Sequence, residues 1–172
     1  MTTSASWQRP FRFWRHLVTD HWVARRAFPP AVLHRIQRAI AAGERRHVGQ
    51  VCFAVEAALP LPLALRGESP RARAVEMFAR LRVWDTEHDC GVLVYMLLAD
   101  KDVEIVADRG IHAKVGEAAW REICRTMEAA FRERRFDDGA VAGIEAISAL
   151  LAAHFPRDGE SANELSDRPV ML

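Results

Sequence analysis

Six acids bracket the two most strand-like runs of this chain. Asp85, Glu87 and Asp89 precede the apolar run 91–99, Asp100 and Asp102 lie between the runs, and Asp108 follows the second run, 102–107. Alternate residues of an extended segment point to one side, so Asp85, Glu87 and Asp89 can face a common point. A hairpin brings its open ends together and adds Asp108. Hard carboxylate oxygens of this kind suit Ca²⁺ or Mg²⁺, and His88 would shift the preference toward transition metals. Arg109, beside Asp108, can clamp a phosphate through its forked donors, with His88 as a second substrate contact. An EF-hand is excluded. Counting from Asp85, the sixth place is Cys90 where glycine is required, and the twelfth is Met96 where a bidentate glutamate is required. The competing reading is a solvated loop whose acids cap helices or pair with Arg82 and Arg109.

No nucleophile motif accompanies these acids. The chain has no Cys-x₅-Arg loop, no Asp-x-Asp-x-Thr pair, no GxSxG elbow and no Walker loop. Cys90 reads as core. Glu56, near the end of an apolar run, is either exposed at a strand end or partly buried with a raised pKa. Any phosphate hydrolysis would have to use water activated by a metal held on the carboxylates.

Several elements must position these residues. Phe11, Trp14, Val18 and Trp22 recur at steps of three and four and predict a helix over 11–28, ended by Pro29 and Pro30. A second helix runs from Pro30 to about Arg46. Residues 50–59 read as a strand apolar on both faces, hence central, and 60–69 as a long connection. A third helix covers 70–83, opened by Ser69 and Pro70. Strands follow at 91–99 and 102–107, joined by a tight turn at Asp100 and Lys101. Helices at 117–134 and from about 138 to 155 complete the pattern. Strand, helix, strand implies a parallel crossover, and the third strand returns antiparallel. The fold class is therefore α/β, a small mixed sheet between helices. Its units are an N-terminal basic aromatic helix (1–29), the main domain (30–156) and a flexible tail (157–172). In such sheets, ligands tend to sit beyond the carboxyl ends of parallel strands. That rule favours the region after Glu56 and near Asp100, opposite the end that carries Asp89 and Asp108.

Charge is unevenly spread. Residues 1–47 hold nine arginines against Asp20 and Glu44, a net +7, and the remainder carries −6. With Trp14, Trp22 and Arg15, the first helix has the makings of a contact surface. It can pack on its own domain, meet a protein partner or a second copy in a homodimer, or lie at the periphery of an anionic membrane. Nucleic acid is not expected, because the only lysines are Lys101 and Lys114 and no aromatic RNA-binding strand is present. Three widely spaced cysteines and the lack of an apolar leader run predict a cytoplasmic protein, peripheral to the inner membrane if the helix binds lipid. The ending "VML" on a polar segment reads as disordered or as an added edge strand.

A run formed by Asp89, Gly91, Val92, Leu93, an acidic turn at Asp100, then Val103, Ile105, Gly110 and Ile111, followed by "FRERRFDDGAVAGIEAI" at 131–147, resembles the TPM domain. That family includes thylakoid-lumen phosphatase-like proteins involved in photosystem II repair. The chain closely resembles its short bacterial branch, which lacks the usual signal peptide and C-terminal membrane anchor. The resemblance implies a mixed sheet sandwiched by helices, a divalent-cation site, often calcium, in an acidic cleft, and a weak acid phosphatase activity. Asp89 is the acid that the resemblance carries over, before the glycine of the second strand; Asp108 stands near the end of the third strand, where many members carry a glycine-tyrosine-glycine run. No organic cofactor is implied. The rival expectation is a non-catalytic module for protein assembly or membrane tethering.

Overall fold

Val51, Phe53 and Val55 alternate with Cys52 and Ala54 along the first strand, and both sets are buried. A strand covered on both faces needs two helical layers, and the computed structural model supplies them. It describes residues 8–159 and 163–172. The order is α1 (Gln8–Val18), α2 (His21–Ala27), α3 (Pro30–Glu44), β1 (Gln50–Glu56), α4 (Leu61–Arg66), α5 (Pro70–Arg80), β2 (Gly91–Leu97), β3 (Asp102–Ala107), α6 (Arg109–Val115), α7 (Glu117–Arg132), α8 (Phe136–His154) and β4 (Val170–Met171).

The sheet runs β3-β2-β1-β4. β1 is parallel to β2, β2 is antiparallel to β3, and β4 is parallel to β1. On one face Val51, Phe53, Val55, Val92, Val94, Met96, Val103 and Ile105 form a core with α3, α7 and α8. On the other, Cys52, Ala54, Leu93, Tyr95 and Leu97 pack against Ala74 and Met77 of α5. Phe28 ties the N-terminal segment into the first core, edge-on to Phe131 and beside Phe53 and Phe136.

The mixed sheet between helices matches the expected fold class. Several local features differ, each for a physical reason. The helix expected over 11–28 breaks at Thr19–Asp20, because the Asp20 carboxylate accepts from Trp22 N and Val23 N and starts a new helix. The side chain of Phe11 lies outside the described residues, as do residues 1–7. The connection 60–69 contains a helix between prolines and a left-handed Gly67 (φ 74°). Asp108 caps a further short helix, α6, that ends at Gly116.

The segment expected to be a flexible tail is instead docked in part. Residues 170–171 extend the sheet, Leu172 N donates to Val55 O, and Gln50 Oε1 accepts from Glu164 N and Leu165 N. The tail pairs backbone of β1 that would otherwise form an open sheet edge. Residues 160–162 lie outside the description.

A buried acid, Glu44, flanks the N-terminal end of β1. Glu44 Oε1 accepts from Val51 N at 2.8 Å. Burial pushes its carboxyl up to about 8, the Val51 bond opposes this, and the Asp167 charge adds to it. The folded state therefore holds a proton that the unfolded state releases above its ordinary value of about 4.5. This contribution to stability is complete below about pH 4.5 and is lost as pH rises toward about 8. Glu44→Gln, which keeps the acceptor and cannot ionise, is expected to gain about 2–4 kcal/mol on wild type between pH 5 and pH 8.5. Urea unfolding of both proteins at the two pH values measures that difference; parallel pH profiles would contradict it.

Candidate functional site

At the carboxyl ends of the parallel strands, α1 covers the sheet. His16 is buried, and its Nδ1 accepts from Leu59 N at 3.0 Å. A neutral ring accepting at Nδ1 carries its proton on Nε2, which lies 3.3 Å from Asp100 Oδ1. Burial lowers the His16 pKa, and the Arg12 and Arg15 charges act the same way against Asp100. Arg12 Nε and Arg15 Nη2 donate to Asp100 at 2.9 and 2.8 Å. Burial works against the Asp100 charge, but these donors and charges more than offset it and leave the carboxyl below its ordinary range. Asp100, read from sequence as a turn residue, is thus the anchor of the N-terminal helix. The edge favoured by the α/β rule is filled by the chain itself.

Below this lid a second polar group sits on the α5 face. Arg73 donates to both oxygens of buried Glu56, at 2.9 and 2.6 Å, and Tyr95 Oη donates to Glu56 Oε2. The Glu56 hydrogen bond is the main influence holding Arg73 protonated. Burial, reinforced by Glu56, raises the Tyr95 pKa. Every strong acceptor here has a donor, so the group is a structural clamp. Glu56, one of the two alternatives left by the sequence, is buried at a strand end and paired.

The opposite end of the sheet holds the acids singled out first. Thr86 is buried and its Oγ1 accepts from Cys90 N at 2.9 Å, while Asp89 N donates to Thr86 O. This local turn drives Asp89 into the left-handed region, φ 48°, which aspartate tolerates better than most residues. Gly91 then faces Asp108 across the hairpin, and Asp108 N donates to Gly91 O at 2.9 Å. Asp108 Oδ1 accepts from Arg109 N at the start of α6. Its other oxygen, Oδ2, is buried and has no hydrogen-bond partner among the described residues. Burial raises the Asp108 pKa and the nearby Asp89 charge raises it further, against the Arg109 and Gly91 backbone groups and the Arg109 charge.

The loop therefore brings Asp89 and Asp108 together at the hairpin mouth. It turns Asp85 toward Arg82, 3.5 Å away. It leaves Glu87 exposed, its amide donating to Glu164 Oε2 at 2.8 Å. His88 and Arg109 are exposed. Among the described residues no three His, Cys, Asp or Glu side chains gather as a metal-ligand group. Cys90 is buried, its Sγ donating to Val48 O, and burial raises its pKa, which fits a core thiol. Sequence reading missed Glu164. It lies 77 residues from its partner, and no local pattern joins the two.

A second acidic face lies at the start of β3. Asp102 Oδ1 is buried without a partner, and burial, followed by the charges of Glu104, Glu128 and Asp100, pushes its carboxyl up to about 6. Glu128 Oε1 accepts from Val103 N, and Glu104 pairs with Arg71 at 3.3 Å.

Among the described residues, no helix is long and apolar enough to cross a membrane. No curated protein sequence matches the chain. Among solved structures, it is similar to the BA42 protein from the psychrophilic bacterium Bizionia argentinensis, determined by NMR. The identity is 26% and the TM-score 0.72, over 82% of this chain and 92% of that one. The profile of the TPM domain family matches residues 25–150. With β2, β3 and most of α8 inside that span and the mixed sheet in place, the chain belongs to the TPM domain family.

Proposed function

We propose that this TPM domain takes up a hydrated divalent cation, Mg²⁺ or Ca²⁺, at the hairpin mouth through Asp89 and Asp108. One observation carries the reading: a buried Asp108 oxygen, without a hydrogen-bond partner among the described residues, near enough to Asp89 to feel its charge. Two like charges there repel, and a cation relieves both the repulsion and the missing contact. The donor set fits. Mg²⁺ commonly keeps several waters and is held by one or two carboxylates together with phosphate oxygens. Two protein carboxylates leave most of the coordination shell to water, so affinity is weak. Asp85 and Glu87, the other two acids of the sequence reading, point elsewhere and would join only after the loop shifts.

A bound ion would polarise a phosphate oxygen and acidify its own water. The residues themselves supply anchoring and orientation. Asp89 and Asp108 hold the ion, and exposed Arg109 offers its fork to a phosphate beside it, with His88 on the same loop. This equipment supports weak phosphatase-like turnover.

Thermal melts of the whole chain in rising Mg²⁺ and Ca²⁺ test the reading, since a ligand that binds only the folded state stabilises it. Stabilisation of about 2.7 kcal/mol is expected at a hundredfold excess over Kd. Asp108→Asn should lose that response and, in metal-free buffer at neutral pH, melt higher than wild type because the repulsion is gone. An unchanged wild-type midpoint across the titration sinks the proposal.

A further inference from the structure

The first helix is mounted inside out. Arg12 and His16, one turn apart, form its inner stripe and reach Asp100. Trp14, Leu17 and Val18 lie on the opposite side at steps of three and four and are 59%, 53% and 70% exposed. Trp22 and Val23 follow on α2, also exposed, and α4, which packs against α1, adds exposed Leu65. An amphipathic helix usually turns its apolar stripe to the core. Here three contacts to one buried carboxylate hold the polar stripe down, so the apolar stripe cannot rotate inward without breaking them.

Charge selects the occupant. Asp20 is the only acid in residues 1–43, and its carboxylate is engaged as the cap of α2. Around the apolar stripe stand Arg25 and Arg26, both exposed, with the Arg25 guanidinium 5.9 Å from the centre of the Trp22 ring. A second copy of the chain meeting this face about a two-fold axis would set arginines against arginines. An anionic bilayer meets every feature instead. Tryptophans prefer headgroup depth, aliphatic side chains enter the acyl boundary, and each arginine near the surface strengthens binding about fivefold. We infer that the α1–α2 segment is a preformed docking surface for an anionic lipid bilayer, oriented by Asp100. This surface lies at the sheet end opposite Asp89 and Asp108, and the inference does not depend on the cation site.

The test is flotation of the full chain with phosphatidylcholine vesicles, with and without phosphatidylglycerol, in metal-free buffer. Binding to the anionic vesicles is expected, with release as salt is raised. Arg25→Gln with Arg26→Gln should weaken it about tenfold or more. Trp14→Ser with Trp22→Ser should abolish it, while melting midpoints of both variants stay near wild type because the altered side chains are exposed. Asp100→Asn should weaken binding by loosening the helix. The inference is overturned by equal partition to neutral and anionic vesicles, by no binding to either, or by a dimer in sedimentation equilibrium that the tryptophan variant dissolves.

Discussion

Replacing Arg73 with methionine is expected to destabilise the fold by about 3–5 kcal/mol, because it leaves Glu56 buried and without its cationic partner. Side-chain exposure of both residues is below a tenth, 7% for Arg73 and 6% for Glu56, so water cannot replace the lost donors. The pair also links elements far apart in sequence. Glu56 ends β1, Arg73 lies in the first turns of α5, and Tyr95 comes from β2. The loss should therefore be global rather than a local fraying. Replacing the whole group by apolar residues, Glu56→Leu with Arg73→Met and Tyr95→Phe, should recover most of it, since burial of an ion pair and of well-packed apolar side chains is often nearly equivalent. Urea unfolding of the single and triple variants measures both effects. A single variant within 1 kcal/mol of wild type would mean that the buried pair is not a clamp.

The second large effect is at Gly91. A Cβ at this position would lie 1.8 Å from the carbonyl oxygen of Val83 and 2.8 Å from its carbonyl carbon. The obstacle is backbone, not a side chain that can swing away. Gly91→Ala must push the segment that follows α5 off the start of β2, at a cost of about 3 kcal/mol or more, at or beyond the upper end of ordinary overpacking. Since Asp108 N bonds to Gly91 O, the same shift spreads Asp89 from Asp108. The variant should lose stability and any Mg²⁺-dependent rise in midpoint together. Denaturation and melts with Mg²⁺ check both; a variant that unfolds like wild type would show that Val83 moves freely.

This close approach explains why glycine leads the strand that carries the family likeness. A glycine inside a strand commonly marks a place where another backbone comes near. The apolar runs of β1 and β2 and the tight turn after β2 were readable because they depend on neighbouring residues alone. The sheet with helices on both faces follows from strands that are apolar throughout. What was not readable depends on contacts between distant residues. The apolar stripe of α1 has the same spacing whether it faces in or out, and only Asp100, more than eighty residues later, decides the matter. The terminal strand was one of two readings of "VML", but the polar stretch before it looks unstructured until Gln50 supplies its hydrogen bonds. The acids of the hairpin mouth were readable as a group of four by spacing, but a turn closed by Thr86 replaces the extended segment that would have aligned them. That turn keeps Asp89 and Asp108 together and sends Asp85 to Arg82.

The most direct test of the cation site is a Mg²⁺ titration followed by backbone amide resonances of the whole chain. The account predicts that the first and largest shifts fall at Asp89, Gly91, Asp108 and Arg109, and that Asp108→Asn removes them. Shifts centred on Asp102, Glu104 and Glu128, or no saturable shifts, would contradict it.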